Sequence, residues 1–155
     1  MEPMDRFIIT QLQDAQALAI AGSLATEGQI QLLDHYCYLK VSDHYIHLIQ
    51  PLLLKYGFVE KPDYFIPPNN VGAHISIIYP EESKMPLPIY RGQVHHFSVS
   101  GLCKVRYRKM EFYALSISSP SLAAFRVGHQ LNENPTFKGQ EIMFHITVGV
   151  MFDDS

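Results

Sequence analysis

Two four-residue runs, His74-Ile75-Ser76-Ile77 and His145-Ile146-Thr147-Val148, alternate polar and apolar residues with a period of two. That is the period of a β-strand, whose successive side chains leave opposite faces of the sheet. Each run therefore predicts a strand with one apolar face and one polar face. The polar face carries the same pair both times, an imidazole and a hydroxyl. Two residues rise about 6–7 Å along a strand, so one pair can reach different oxygens of a single phosphate. Ile75, Ile77, Phe144, Ile146 and Val148 are left for the core. Gly149 continues the second polar face without a side chain, which leaves room for a ligand.

A third copy of the pattern, His96-Phe97-Ser98, follows another histidine and opens a strand that no helix feeds. It reads as a chance occurrence, with a wall of the same groove as the alternative. His44 and His47 lie three apart on a predicted helix, but no third ligand accompanies them, so a solvated or half-buried helix face accounts for them.

The rest of the chain supplies the frame. Residues 10–28, rich in Ala, Leu and Gln and ended by Gly28, predict a helix. Residues 35–41 alternate as a strand, with Cys37, Leu39 and Val41 on one face and Tyr36, Tyr38 and Lys40 on the other. Residues 42–57 predict a helix from Ser42 to a Gly57 cap, kinked or split by Pro51. A Pro- and Asn-containing loop leads to the first motif strand, residues 72–79, where Tyr79 points with Ile75 and Ile77 into packing. Two long strands follow, turning near Lys109 and Met110, with Gly101 as a bulge. Ser119-Pro120 starts a helix, and residues 141–152 form the last strand. The order predicts an α+β fold, α/β-like in its alternation, made of two similar halves. A helical extension (residues 1–30) precedes a core over 35–152, within one domain spanning 1–155.

A chain of 155 residues with 47% hydrophobic residues can bury a real core, which excludes a disordered chain. Its formal charge of −3 argues against a clamp for long double-stranded nucleic acid, and leaves open a short anionic ligand in a locally basic pocket. Lys104, Arg106 and Arg108 share one strand face and are candidate phosphate contacts; a solvated hairpin tip is the competing account. Tyr38 is a candidate for base stacking, or a structural tyrosine. No apolar run approaches the roughly 18 residues of a membrane span, and no signal peptide is visible. The expectation is a soluble cytoplasmic protein that does not engage a membrane. Cys37 and Cys103 read as reduced thiols, with a disulfide as the minority alternative. The sequence leaves the oligomeric state open.

The paired His-apolar-Ser/Thr-apolar motifs resemble those of the two-histidine phosphoesterase superfamily, and the short stand-alone chain is most similar to its compact Swiss-army-knife branch. The resemblance covers about residues 36–150. It implies a bilobal fold, two pseudo-symmetric strand-helix-strand lobes around a central groove, with His74, Ser76, His145 and Thr147 as the catalytic set. It also implies a metal-independent mechanism without cofactor, in which one histidine is the base and the other the acid. The substrate class it suggests is a nucleotide or short oligonucleotide phosphodiester. Hydrolysis leads; an RNA end-processing ligase or transesterase, or a module that sequesters a nucleotide without turnover, are the rivals.

Overall fold

The computed structural model describes residues 6–68 and 70–152. In chain order the main elements are β1 (Ile8–Leu12), α1 (Ala15–Gly22), β2 (Glu27–Leu33), β3 (Tyr36–Lys40), α2 (His44–Ile49), β4 (His74–Ile78) and β5 (Val94–His96). They continue with β6 (Ser98–Tyr107), β7 (Met110–Ser118), α3 (Pro120–Gly128), a short hairpin of β8 (Thr136–Phe137) and β9 (Gln140–Glu141), and β10 (His145–Phe152). The fold is α+β, with one large antiparallel sheet and three α-helices among the described residues. The sheet runs β1-β6-β7-β10-β4-β3-β2-β5, which puts the two motif strands side by side at its centre.

The amino-terminal reading needs correction. Residues 10–28 are not one helix: β1 and β2 are strands of the main sheet, and only α1 between them is helical. The helix begins where Asp14 accepts a hydrogen bond from the Ala17 backbone N–H, an N-cap that splits the Ala/Leu/Gln run. Ala17 and Ala21 are fully buried, so this segment is built into the core. Pro51 splits the second predicted helix: α2 stops at Ile49, and a 3₁₀ helix continues from Gln50 to Tyr56. Gly57 ends it at φ 137°, a conformation that favours glycine. Asp43, not Ser42, occupies the N-cap position of α2.

Strand pairing assigns the two faces. Across β10 and β7, His145 pairs with Ser116 and Thr147 with Ala114; across β4 and β3, His74 pairs with Lys40 and Ser76 with Tyr38. These residues share one face. The opposite face carries Ile75, Leu39, Ile30, Leu102 and Leu115, all fully buried with α1 and α2 residues in the main core. A smaller apolar cluster of Cys103, Val105, Phe112 and Ala114 lies on the histidine side, packed against Phe7 and Phe137. Both cysteines are buried and free, and burial pushes their thiols up to about 12 and about 11.

Each motif strand carries a register shift just past its hydroxyl residue. Ser76 pairs with Tyr38 but Ile78 with Cys37, and Thr147 pairs with Ala114 but Gly149 with Tyr113. One extra residue in each strand inverts the alternation beyond it. Gly149 is thereby moved off the histidine face, and the expected ligand space there does not exist. A Cβ on Gly149 would sit 2.5 Å from Val59 Cγ1 and 2.9 Å from Leu53 Cδ1. Gly149→Ala is expected to lower unfolding stability by about 1–3 kcal/mol, the range for overpacking a filled core. An unchanged denaturant midpoint would show that Val59 and Leu53 yield freely.

Candidate functional site

The register that pairs Ile146 with Ile75 places His145 opposite Ser76 and Thr147 opposite His74. Each histidine therefore sits across from the hydroxyl of the other motif. The two histidines lie on a cross-strand diagonal, a relation that separates Cβ atoms by roughly 7–8 Å. His74, Ser76, His145 and Thr147 all line one cavity of about 540 Å³.

The backbone sets both ring orientations. His74 Nδ1 lies 2.7 Å from the Gly72 carbonyl, and His145 Nδ1 lies 2.9 Å from the Met143 carbonyl. A carbonyl only accepts, so Nδ1 carries the proton in each ring and the neutral ring keeps an Nε2 lone pair. Gly72 is suited to this duty: its φ is +68°, and a Cβ there would meet Asp43 Oδ1 at 2.5 Å. Burial lowers the pKa of His74 to about 4; the Gly72 carbonyl opposes the shift, and the nearby His145 and Lys40 add to it. Burial likewise lowers His145, opposed by its bond to Met143. Both rings are neutral at pH 7 in the free protein.

Tyrosines enclose the pair. Ser76 is hydrogen-bonded to the Tyr36 hydroxyl, and the Tyr79 and Tyr64 hydroxyls lie close to Ser76 and Thr147 respectively. Tyr64 also meets His74 edge-on at 4.6 Å. Burial raises the Tyr36, Tyr64 and Tyr79 hydroxyls above their ordinary range, so all three stay protonated. Tyr79 is a second correction. The shift in β4 turns it from the core side to the histidine side, where it stacks on Phe137 at 4.5 Å and lines the cavity. Tyr36 was legible from the alternation of β3, which put it on the polar face. Tyr64 lies in the loop before β4, where no periodicity marks it.

The proposed substrate contacts fare differently. Tyr38 is buried beside His74, edge-on at 5.4 Å and stacked under Tyr36 at 5.3 Å, but it does not line the cavity. Lys104 and Arg106 are not brought to the cavity at all. Lys104 pairs with Tyr113 and Arg106 with Glu111, which puts both on the opposite sheet face, and Arg106 is 2.7 Å from the Glu111 carboxylate. The pocket is not locally basic either: its charged lining residues among those described are Glu60, Lys61 and Asp63. His96 is exposed on the edge strand β5, away from the cavity, and the third motif copy contributes nothing to it. His47 stacks on Phe65 at 4.6 Å and accepts from Lys61 Nζ at 3.0 Å.

Two neutral imidazoles with Nε2 edges on one cavity, each beside a hydroxyl, can pass protons on both sides of a bound phosphoester. A family model described as Swiss Army Knife, 2H phosphoesterase domain matches residues 37–155. The chain belongs to this family. The 2H phosphoesterase domain thus begins at β3 and takes in both motif strands, and membership carries phosphoester hydrolysis as its chemistry. β1, α1 and β2 lie ahead of the matched residues, yet β1 is one edge of the same sheet and β2 is an inner strand between β3 and β5. No curated protein and no solved structure matches the chain. No helix among the described residues is long and apolar enough to cross a membrane.

Proposed function

We propose that the chain is a metal-independent phosphodiesterase that hydrolyses a nucleotide phosphodiester, cyclic or 2′,5′/3′,5′-linked. The observation that carries this reading is that each histidine ties Nδ1 to a backbone carbonyl while lining the same cavity as the other. One neutral Nε2 takes the proton of an attacking water. The water oxygen bonds to phosphorus, the ester P–O bond breaks, and the other imidazole, protonated, gives its proton to the departing oxygen. Ser76 and Thr147 donate to the non-bridging oxygens as charge builds there, and their tyrosine partners hold the hydroxyls in place. The diester anion supplies the charge that lets one buried imidazole take up a proton. The side from which water enters decides which histidine is base and which is acid. In this reading the four strands on each side of the β10–β4 seam are the two lobes, and the protein works in the cytoplasm.

A screen of cyclic mono-, di- and trinucleotides, 2′,5′-oligoadenylates and RNAs ending in a 2′,3′-cyclic phosphate, with products identified by mass, tests the reading. Water addition across one diester is expected, at a rate unchanged by prior treatment with EDTA. Loss of turnover on chelation, restored by a divalent cation, would overturn the metal-independent mechanism. A product that is ligated or cyclised would move the assignment to a transesterase.

Free-enzyme kcat/KM should be bell-shaped with its maximum on the acid side of 6.5, because burial lowers both histidines. The kcat profile should lie at higher pH, since the bound anion favours the protonated ring. Coincident profiles centred above pH 8 would exclude these two groups as the acid and base.

A further inference from the structure

We infer that the cavity selects a nucleoside bearing one phosphate, the scissile one, and rejects ligands with a second phosphate at the other end. This rests on the phosphodiesterase reading and sharpens its substrate class. Among the described residues, Lys61 is the one lysine or arginine that lines the cavity, and other cations are engaged or placed elsewhere. Lys40 is 2.7 Å from Asp43, and Arg126 is buried with its guanidinium 2.6 Å from the Glu82 carboxylate. Lys104 and Arg106 occupy the far face. Lys61 lines the cavity, but its ammonium is held at His47, and Glu60 and Asp63 flank it in the chain.

Glu60 is fixed at the wall by two backbone hydrogen bonds to Val150, of 2.8 and 2.9 Å. Glu60 and Asp63 line the same cavity as the histidines, and Asp63 is near enough to the Tyr64 hydroxyl to help raise its pKa. Lys138 lies over the Tyr107 and Phe137 rings at the rim, but Glu81 accepts from the backbone N–H groups of Lys138 and Gly139, so an acid accompanies it. The remaining wall is aromatic and apolar: Tyr64, Tyr79, Phe112 and Phe137. Such a lining suits one anion seated at the motifs and a flat, uncharged base against the rings. A second phosphate near Glu60 and Asp63 would face like charge.

Calorimetric binding to the intact wild-type chain decides it, using adenosine 2′-monophosphate and adenosine 2′,5′-bisphosphate, neither of which contains a diester to cleave. The monophosphate is expected to bind about tenfold more tightly at low ionic strength. The gap should close in about 1 M salt, where the Debye length is only about 3 Å, and in a Glu60→Gln, Asp63→Asn double variant. Equal or tighter binding of the bisphosphate would overturn the inference, as would failure of both ligands to bind. A gap unchanged by salt and by the double variant would assign the preference to shape and also overturn it. Diester turnover is assayed separately, so failure of this preference and failure of the phosphodiesterase reading give different results.

Discussion

Replacing His74 or His145 by alanine should lower kcat/KM on the responsive diester by roughly 10²–10⁴, the range for losing a positioned general acid or base. The two losses should not add. Each histidine completes a proton path that needs the other, so the double variant should fall little below the worse single one. Far-ultraviolet circular dichroism should stay native, because each ring makes its fixed bond to a local carbonyl and the strands are held by backbone pairing. Stability supplies an independent readout. His74 titrates at about 4 when folded and near 6.5 when unfolded. Between those values the unfolded chain binds the extra proton, so the wild type loses stability as pH falls from about 6.5 to about 4. His74→Ala should remove that part of the slope while still lowering turnover by the same roughly 10²–10⁴. Full activity in the double variant would end the two-histidine mechanism, whatever the fold.

The second large effect is expected at Arg126, which nothing in the sequence distinguishes from a surface arginine on α3. Its side chain is fully buried. It donates to the Ile77, Asn132 and Asn134 carbonyls and makes two bonds to Glu82, of 2.9 and 2.6 Å. The same Glu82 carboxylate accepts the Tyr79 backbone N–H, and the Tyr79 hydroxyl lies close to Ser76. α3 is thus tied through one ion pair to the end of β4 and to the motif hydroxyl. Arg126→Met strands a buried carboxylate and three carbonyls, and should cost about 3–5 kcal/mol in urea unfolding. Adding Glu82→Leu should recover a substantial part, because the uncompensated charge is then gone. Residual activity of the folded fraction should fall in both variants, since Tyr79 loses its anchor. A single substitution costing under about 1 kcal/mol, or a double variant no better than Arg126→Met, would show that the pair is not the clamp described.

His74, Ser76, His145 and Thr147 were legible in the sequence because a local rule sufficed. Within a strand, alternation places i and i+2 on one face, and both motifs obey it over the few residues that matter. The same rule put Tyr36 beside Tyr38, split the second helix at Pro51, and marked Gly101, where β6 does shift register against β7. It failed wherever the outcome depended on a partner strand. Lys104 and Arg106 do share a face, but only the pairing of β6 through β7 to β10 shows that this face is turned away from the histidines. Residues 10–28 had helix-forming composition throughout, yet pairing of β1 with β6 and of β2 with β3 overrode propensity at both ends.

The strand bulges mark the division most clearly. Local alternation determined that each motif presents an imidazole and a hydroxyl together. It could not show that one extra residue follows each hydroxyl, because a bulge is a mismatch between two strands and neither carries it alone. Those two insertions brought Tyr79 onto the site and sent Gly149 into the core. The imidazole–hydroxyl pairs of the candidate site were written in the chain; the walls around them were decided by how the strands met.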